Sequence, residues 1–485
     1  MRRENERLKE ELAAARRRAH QQAAPFSRGL PKTNPERPGR KAGAAYGRRA
    51  HRSAPARIDV TYDAPLPAHC PDCGGPVRRR RVVSQYQEDL PVQRPVVHEF
   101  RVAVGHCTRC HRRIQGRHAL QTSDALGAAA VQLGPQTVAL AVILNKQLGL
   151  SFGKIAQLLR DRFGLTVTRG GLVHAVHRAA RQAHPTYEAL CATVRGNPVV
   201  TPDETSWKVG GHLQWLWAFV TPDTTVYAIQ DGRGFAQAAT VLGADYAGVV
   251  QRDGWAPYRQ FVHAGHQTCL AHLLRRCHTM MLDYPHHPFA PQVNALLRAA
   301  LATRDRHRDG DVSTHGLAIA RGHYINRLGR RLGRRLDRRP SRLADARRFA
   351  AHLTTEYDAV FSFLFDPTLD ATNWRAEHAQ RPAVITRKTC GGGNRTARGA
   401  QTQQVLASVL RTAQQRGLDT TDVVATHSRR RSPPSPTLFS QPLRYTDPLN
   451  RDLPTTSYKL SLKRQTRPTS VVRQTNLRDL CDLCG

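Results

Sequence analysis

The amino-acid sequence predicts a multidomain α/β protein, on three observations. Two CxxC pairs fall within residues 66–118, a spacing that reads as a small metal module. Residues 124–190 keep a helical period throughout. From residue 197 the pattern turns to strands, and a long basic helical stretch interrupts that region before it closes.

Charge separates this chain from most proteins of its size. Lys and Arg number 74 against 37 Asp and Glu, a net +37 with a pI near 11.1. Such a surplus binds polyanions by releasing their counterions, so double-stranded DNA is the expected partner. Apolar residues make up 40%, enough for a sizeable core. No apolar run reaches about 18 residues, so no membrane partner is expected and a cytoplasmic, nucleoid-associated protein is. In that compartment ten cysteines stay reduced, and CxxC pairs read as metal ligands before disulfides.

Residues 1–24 contain a charged helix with a weak apolar stripe, compatible with a solvated helix or a short coiled coil. Residues 25–65 are rich in Pro, Gly and basic residues and read as a linker lying along phosphates. In residues 66–118, Cys70, Cys73, Cys107 and Cys110 form the two pairs, with alternating segments expected as strands between them. Strands that bring both turns together would hold one structural Zn²⁺ as a zinc ribbon; four unrelated reduced thiols is the competing reading.

In residues 124–190, Ser151 and Thr168 are N-cap candidates and Gly164 a C-terminal stop. The last helix carries Arg169 and Arg178, arranged as a helix-turn-helix would place DNA contacts, although an ordinary helical hairpin looks the same.

The first part of the core, residues 197–283, starts with VVTPDETSW, an apolar run containing Asp203. Two more strands follow, at 213–220 and 224–230, then a helix and the buried run AGVVQRD ending in Asp253. Three antiparallel strands, a helix and a strand is the ribonuclease-H-like order, in which the first and fourth strands are neighbours and bring Asp203 beside Asp253. WAPYRQFVH after it reads as a helix. Residues 284–365 form a basic helical insertion, too long for a loop. Within it Arg330, Arg331, Arg334 and Arg335 surround a leucine stripe, as either a DNA surface or a solvated helix side. The core closes in residues 366–420, where a helix carrying Glu377 is expected to stop at Pro382. Residues 426–485 are Pro-, Ser-, Thr- and Arg-rich and read as disordered.

Asp203, Asp253 and Glu377 suit a site for two Mg²⁺ (or Mn²⁺) ions, since carboxylates hold hard cations while leaving positions for water and phosphate. Beyond Asp253 only two glutamates occur, Glu356 and Glu377, and Glu356 falls in a stretch read as an amphipathic helix. Glu204 points to the opposite face of its strand from Asp203. Arg381, Arg387 and Lys388 stand near enough in sequence to steady a phosphate. Cys269 and His272, spaced C-x-x-H, read as packing or positioning near the acids.

The stretches DETSW, HLQWLWAFV, DYAGVVQRDGWAPYRQF, HQTCLAHLLRRC and NWRAEHAQRPAV resemble the insertion-sequence-66 family of DDE transposases. The resemblance runs from about residue 4 to 425 and includes the paired CxxC module and LGLSFGKIAQLL. It implies that Asp203, Asp253 and Glu377 are the metal-binding catalytic acids of a ribonuclease-H-like core. It further implies cleavage at transposon ends and joining to target DNA, with a homo-oligomer on DNA and accessory proteins as expected partners. The pattern departs around the glutamate: Trp374 and Arg375 follow Asn373, His378 follows Glu377, and Gln380 replaces an apolar residue. A catalytically inactive zinc-containing DNA-binding protein derived from a transposase is the alternative.

Overall fold

The computed structural model describes Glu4 and residues 53–91, 93–336, 343–389 and 392–429. The helix and linker expected in residues 1–52 therefore lie almost wholly outside the described residues, as does the tail beyond Arg429. The chain divides into two compact units, one within residues 1–96 and 161–165, the other within 97–160 and 166–485.

In the first unit, described residues 53–91 and 93–96 carry no helix or strand longer than an isolated bridge between His69 and Pro76. The second unit opens with a two-stranded antiparallel hairpin, β1 (Val104–His106) and β2 (Arg113–Gln115). Of the strands expected between the CxxC pairs, only the short β1 forms, at the end of the second alternating segment. Val82, Val83, Val96 and Val97 are exposed instead, and alternation yields a strand only where one face has something to bury against.

Three helices follow: α1 (Pro135–Lys146), α2 (Phe152–Phe163) and α3 (Arg169–Arg195). Thr168 caps α3, its hydroxyl accepting from the Gly171 amide at 3.0 Å. The helix runs through Pro185, where only one backbone hydrogen bond is forfeited, because Ala183, Thr186, Tyr187 and Leu190 bury its continuation.

The sheet is mixed and five-stranded. Its strands are β3 (Val199–Val209), β4 (His212–Val220), β5 (Thr225–Gln230), β6 (Val249–Arg252) and β7 (Gly265–Thr268), in the order β5-β4-β3-β6-β7. The β3–β4 and β4–β5 pairs are antiparallel, and β3–β6 and β6–β7 are parallel. The β3–β4 turn places Gly210 and Gly211 at φ 59° and 87°, a left-handed conformation open to glycine at little cost. Helix α4 (Phe235–Leu242) joins β5 to β6. The segment expected as a helix after Asp253 is a short 3₁₀ turn, Ala256–Gln260, because Pro257 and the bend into β7 leave no room for a longer one. That final strand was not foreseen.

Helices α5 (Leu270–Asp283), α6 (Phe289–Arg308), α7 (Thr314–Leu336) and α8 (Ala344–Thr355) follow. They share one apolar core that includes Phe289, Leu297, Leu328, Leu332, Phe349 and Leu353. The leucine stripe of α7 is therefore its inward face.

The chain returns as α9 (Trp374–Thr389), α10 (Ala397–Gln415) and α11 (Thr420–Arg429). Pro382 does not end α9: the helix continues to Thr389. The proline is exposed, and Arg387 anchors the following turn to β3 by donating to Thr205 Oγ1 at 3.2 Å and Ser206 Oγ at 2.8 Å. Helix α11 corrects the reading of the C-terminal region. Residues 426–429, assigned to the tail by composition, complete a helix that buries Val423, Val424 and Ala425 and packs against α1.

Candidate functional site

The face of the sheet under α9 is set by alternation. Trp207, Val209, Leu216, Ala218 and Tyr227 share it with Ala376 and Ala379 of α9, and a strand's side chains repeat every second residue. Asp203 lies on this face, in register with Ala218. Glu204 lies on the other, 8% exposed, accepting from Arg233 Nε and the Tyr258 hydroxyl, each at 2.5 Å. Burial raises the Glu204 pKa against those two donors. Both its oxygens are committed.

Asp253 directly follows β6, the parallel neighbour of β3. Its Oδ1 accepts from the Trp255 amide at 2.8 Å, a turn that Gly254 allows at φ 93°. Glu377 is in the first turn of α9. The three segments meet electrostatically: the Asp203 carboxyl is raised well above the usual range by burial, then by Glu204, Asp253 and Glu377. Among the described residues no Arg or Lys forms an ion pair with Asp203 or Asp253. Asp203 and Asp253 thus carry like charges close together without a basic ion-pair partner among the described residues.

Cys269 and His272 fix its third member. The thiol is 1% exposed, pushed up to about 12 by burial, and its Sγ accepts from the Asn373 amide at 3.3 Å. It thereby satisfies a backbone donor just ahead of α9. His272 Nε2 lies 3.7 Å from Glu377 Oε1. Burial lowers the histidine pKa, with Glu377 and then Asp253 opposing. Gln380, unrecognised as a site residue from sequence, donates from Nε2 to the backbone oxygens of Asp203 at 3.1 Å and Leu216 at 2.9 Å. It needs a polar side chain for this, which accounts for the departure from an apolar residue there.

His272 Nδ1, both amide atoms of Asn373 and Gln380 Oε1 are buried with no hydrogen-bond partner among the described residues. Orphaned polar atoms beside three carboxylates fit a hard divalent cation with its water or phosphate ligands. Among the described residues, no three or more His, Cys, Asp or Glu are grouped so as to hold a metal ion as they stand. The donor chemistry and charge fit, and the side chains would have to draw in.

Glu356 is the other glutamate of the second half. It lies not within a helix but at the end of α8, 1% exposed. Arg252 Nη1 is 2.7 Å from one oxygen, Arg259 Nη1 2.9 Å from the other, and Thr268 donates at 2.5 Å. Burial alone would raise its pKa; Arg252 and the hydrogen bonds hold it below the ordinary carboxylate range.

The basic residues divide by engagement. Arg169, Arg178, Arg330 and Arg381 are exposed. Arg331 is half-buried and donates to the Gln292 carbonyl at 2.5 Å, and Arg387 is tied to β3. Both therefore serve helix packing in this structure. The side chains of Arg334, Arg335 and Lys388 lie outside the described ones.

The cysteine pairs form similar turns, one in each unit. The Cys70 amide donates to the Gly75 carbonyl at 2.8 Å, and Cys107 to Arg112 at 2.9 Å. Gly74 and His111, each immediately after the second cysteine, are left-handed at φ 72° and 56°. Backbone amides of Asp72 and Cys73 lower the Cys70 pKa, and those of Cys110 and Arg109 lower that of Cys107. Thiolate-favouring turns of this kind suit zinc.

The site thus joins an acid on β3, an acid directly after the parallel neighbour β6 and a third on a returning helix of a mixed α/β core. The family model described as Transposase IS66 family matches residues 130–402, more than half of the chain, and the chain belongs to that family. It is also 26% identical over 284 residues to the uncharacterized protein y4jD of Sinorhizobium fredii (strain NBRC 101917 / NGR234), covering 53% of this chain and 55% of that protein. The chain thus spans about half the length of the curated relative it matches. Among the described residues no helix is long and apolar enough to cross a membrane.

Proposed function

We propose that this transposase-family chain cuts DNA at the ends of a mobile element and joins those ends to target DNA, using Asp203, Asp253 and Glu377. The observation that supports it most is the raised Asp203 carboxyl, whose causes include both other acids. The strand order β5-β4-β3-β6-β7 agrees with a ribonuclease-H-like core. Asp203, Asp253 and Glu377 would hold two Mg²⁺ or Mn²⁺ ions, which supply charge neutralisation at the phosphate and activation of the attacking oxygen. In the first step a water oxygen bonds to phosphorus as the bond to the 3′ oxygen breaks, leaving a 3′-OH and a 5′-phosphate. In the second, that 3′-OH bonds to a target phosphorus and a target 3′ oxygen leaves.

The chain's own residues set the geometry. Cys269 and Gln380 locate α9 against the sheet, and His272, its pKa lowered by burial, stands beside Glu377. Exposed Arg381 is available to the DNA backbone. Cys70, Cys73, Cys107 and Cys110 are the proposed ligands of one structural zinc.

Nicking of supercoiled DNA in Mg²⁺ or Mn²⁺ tests the reading. Glu377→Gln should abolish nicking while leaving DNA affinity within about twofold, since no phosphate-binding cation is removed. A variant that nicks as well as the wild type removes Glu377 from the mechanism; a wild type that binds but never nicks leaves the inactive DNA-binding alternative.

A further inference from the structure

A cleft of about 720 Å³ opens between α3 and α10, and it shares no residue with the acid cluster. Its walls include His177, Arg181 and His184 from α3 and Arg398, Gln401 and Thr402 from α10. Among the described residues no carboxylate and no Phe, Trp or Tyr lines it. Neither Arg181 nor Arg398 has a side-chain hydrogen bond or ion pair among the described residues. His177 Nδ1 and Thr402 Oγ1 meet at 2.6 Å and link the two walls.

The cationic character extends beyond the lining. Lys146, on α1, donates from Nζ to Gln403 Oε1 at 2.9 Å and forms no ion pair with a carboxylate among the described residues. Burial pulls its pKa down to about 8. His177 is lowered first by burial and then by Arg398, Lys146, His174 and Arg181, so the charged groups acting on it are all basic. Glu188 lies 3.5 Å from His184 Nδ1.

A concave site with converging cations and no acid lining selects an anion. Lacking aromatic faces, it offers bases nothing to stack upon, so backbone phosphate is the matching part of a nucleic acid. Gln401 adds a neutral amide of the kind that accompanies Arg at phosphates.

We infer that the α3–α10 cleft is a second DNA contact, one that grips the phosphodiester backbone through Arg181 and Arg398 and takes no part in the chemistry. This rests on the reading of the chain as a DNA-acting transposase. It explains why α10 carries an unpaired arginine beside the helix that the sequence marks for DNA.

The test uses the full-length protein and a fluorescent 30-base-pair duplex of arbitrary sequence, with affinity measured across a salt series. Each lost phosphate contact should lower the slope of log K against log salt by about 0.9, so Arg181→Ala/Arg398→Ala should lower it by about 2. Arg181→Lys/Arg398→Lys should recover most of it. An unchanged slope in a double variant with wild-type circular dichroism and melting temperature overturns the inference. If the double variant does not fold, the wild type decides: duplex should protect His177 and His184 from diethyl pyrocarbonate, read by peptide mass spectrometry. Equal modification with and without duplex also overturns it. Metal-dependent nicking by the wild type is scored in parallel. Its absence with a lowered slope counts against the transposase chemistry alone, whereas nicking with an unchanged slope counts against the cleft alone.

Discussion

At the scale of single residues, the two glutamates of the second half differ in what surrounds them rather than in their own chemistry. Glu356 has Arg252, Arg259 and Thr268 around a carboxylate that solvent does not reach. Removing one member of such a buried set leaves the others uncompensated. Glu356→Gln should therefore cost about 3–5 kcal/mol at neutral pH, measured by urea unfolding. Because its pKa is lower folded than unfolded, the stabilisation is complete above the ordinary carboxylate range and is lost as pH falls through the folded value. The gap between wild type and Glu356→Gln should consequently narrow below about pH 4. A gap constant from pH 7 to 3 would show that the carboxylate charge contributes nothing.

At the scale of elements, α9 carries the greatest functional weight because it brings the most distant acid to the sheet. Gln380 is its tie to two strands at once. Gln380→Ala should lower metal-dependent nicking by about tenfold or more, as small misplacements of reacting groups do, with DNA affinity unchanged. Nicking at the wild-type rate would mean that α9 finds its seat without this residue. The sequence was most legible in this region where pattern and chemistry coincide. The strand carrying Asp203 and the opposite facing of Glu204 could be read from alternation, and its pairing with the strand before Asp253 from the order of elements. The course of α9 past Pro382 could not, since it depends on Arg387 reaching β3, a contact between residues 205 and 387. For the same reason α11 was hidden: its apolar face has meaning only against α1.

For the whole molecule, composition indicated a DNA partner but not where DNA lies. Arg331 was readable as a phosphate contact from its neighbours in sequence, yet it spends a donor on α6. Arg181 and Arg398 look unremarkable in sequence and converge only through folding. The cysteine turns were legible as turns, while of the strands expected between them only the three-residue β1 forms. Cys107→Ser should lower bound zinc, measured by atomic absorption, by about one ion per chain, as expected if a ligand set shares a single metal. Melting of the sheet-bearing unit, followed by tryptophan fluorescence, should stay within about 1–2 °C, because every Trp lies beyond residue 200. Unaltered zinc content would dismiss the metal module.

The guanidinium of Arg252 sits one position before Asp253 and takes its counter-charge from the far end of a segment about a hundred residues downstream. Helices α5 to α8 are consequently not a removable cassette. Excising them together with Glu356 would leave the buried Arg252 guanidinium without that carboxylate, next in sequence to an acid. Trimmed versions of this chain would need a leucine or methionine at position 252 before any shorter linker is worth trying.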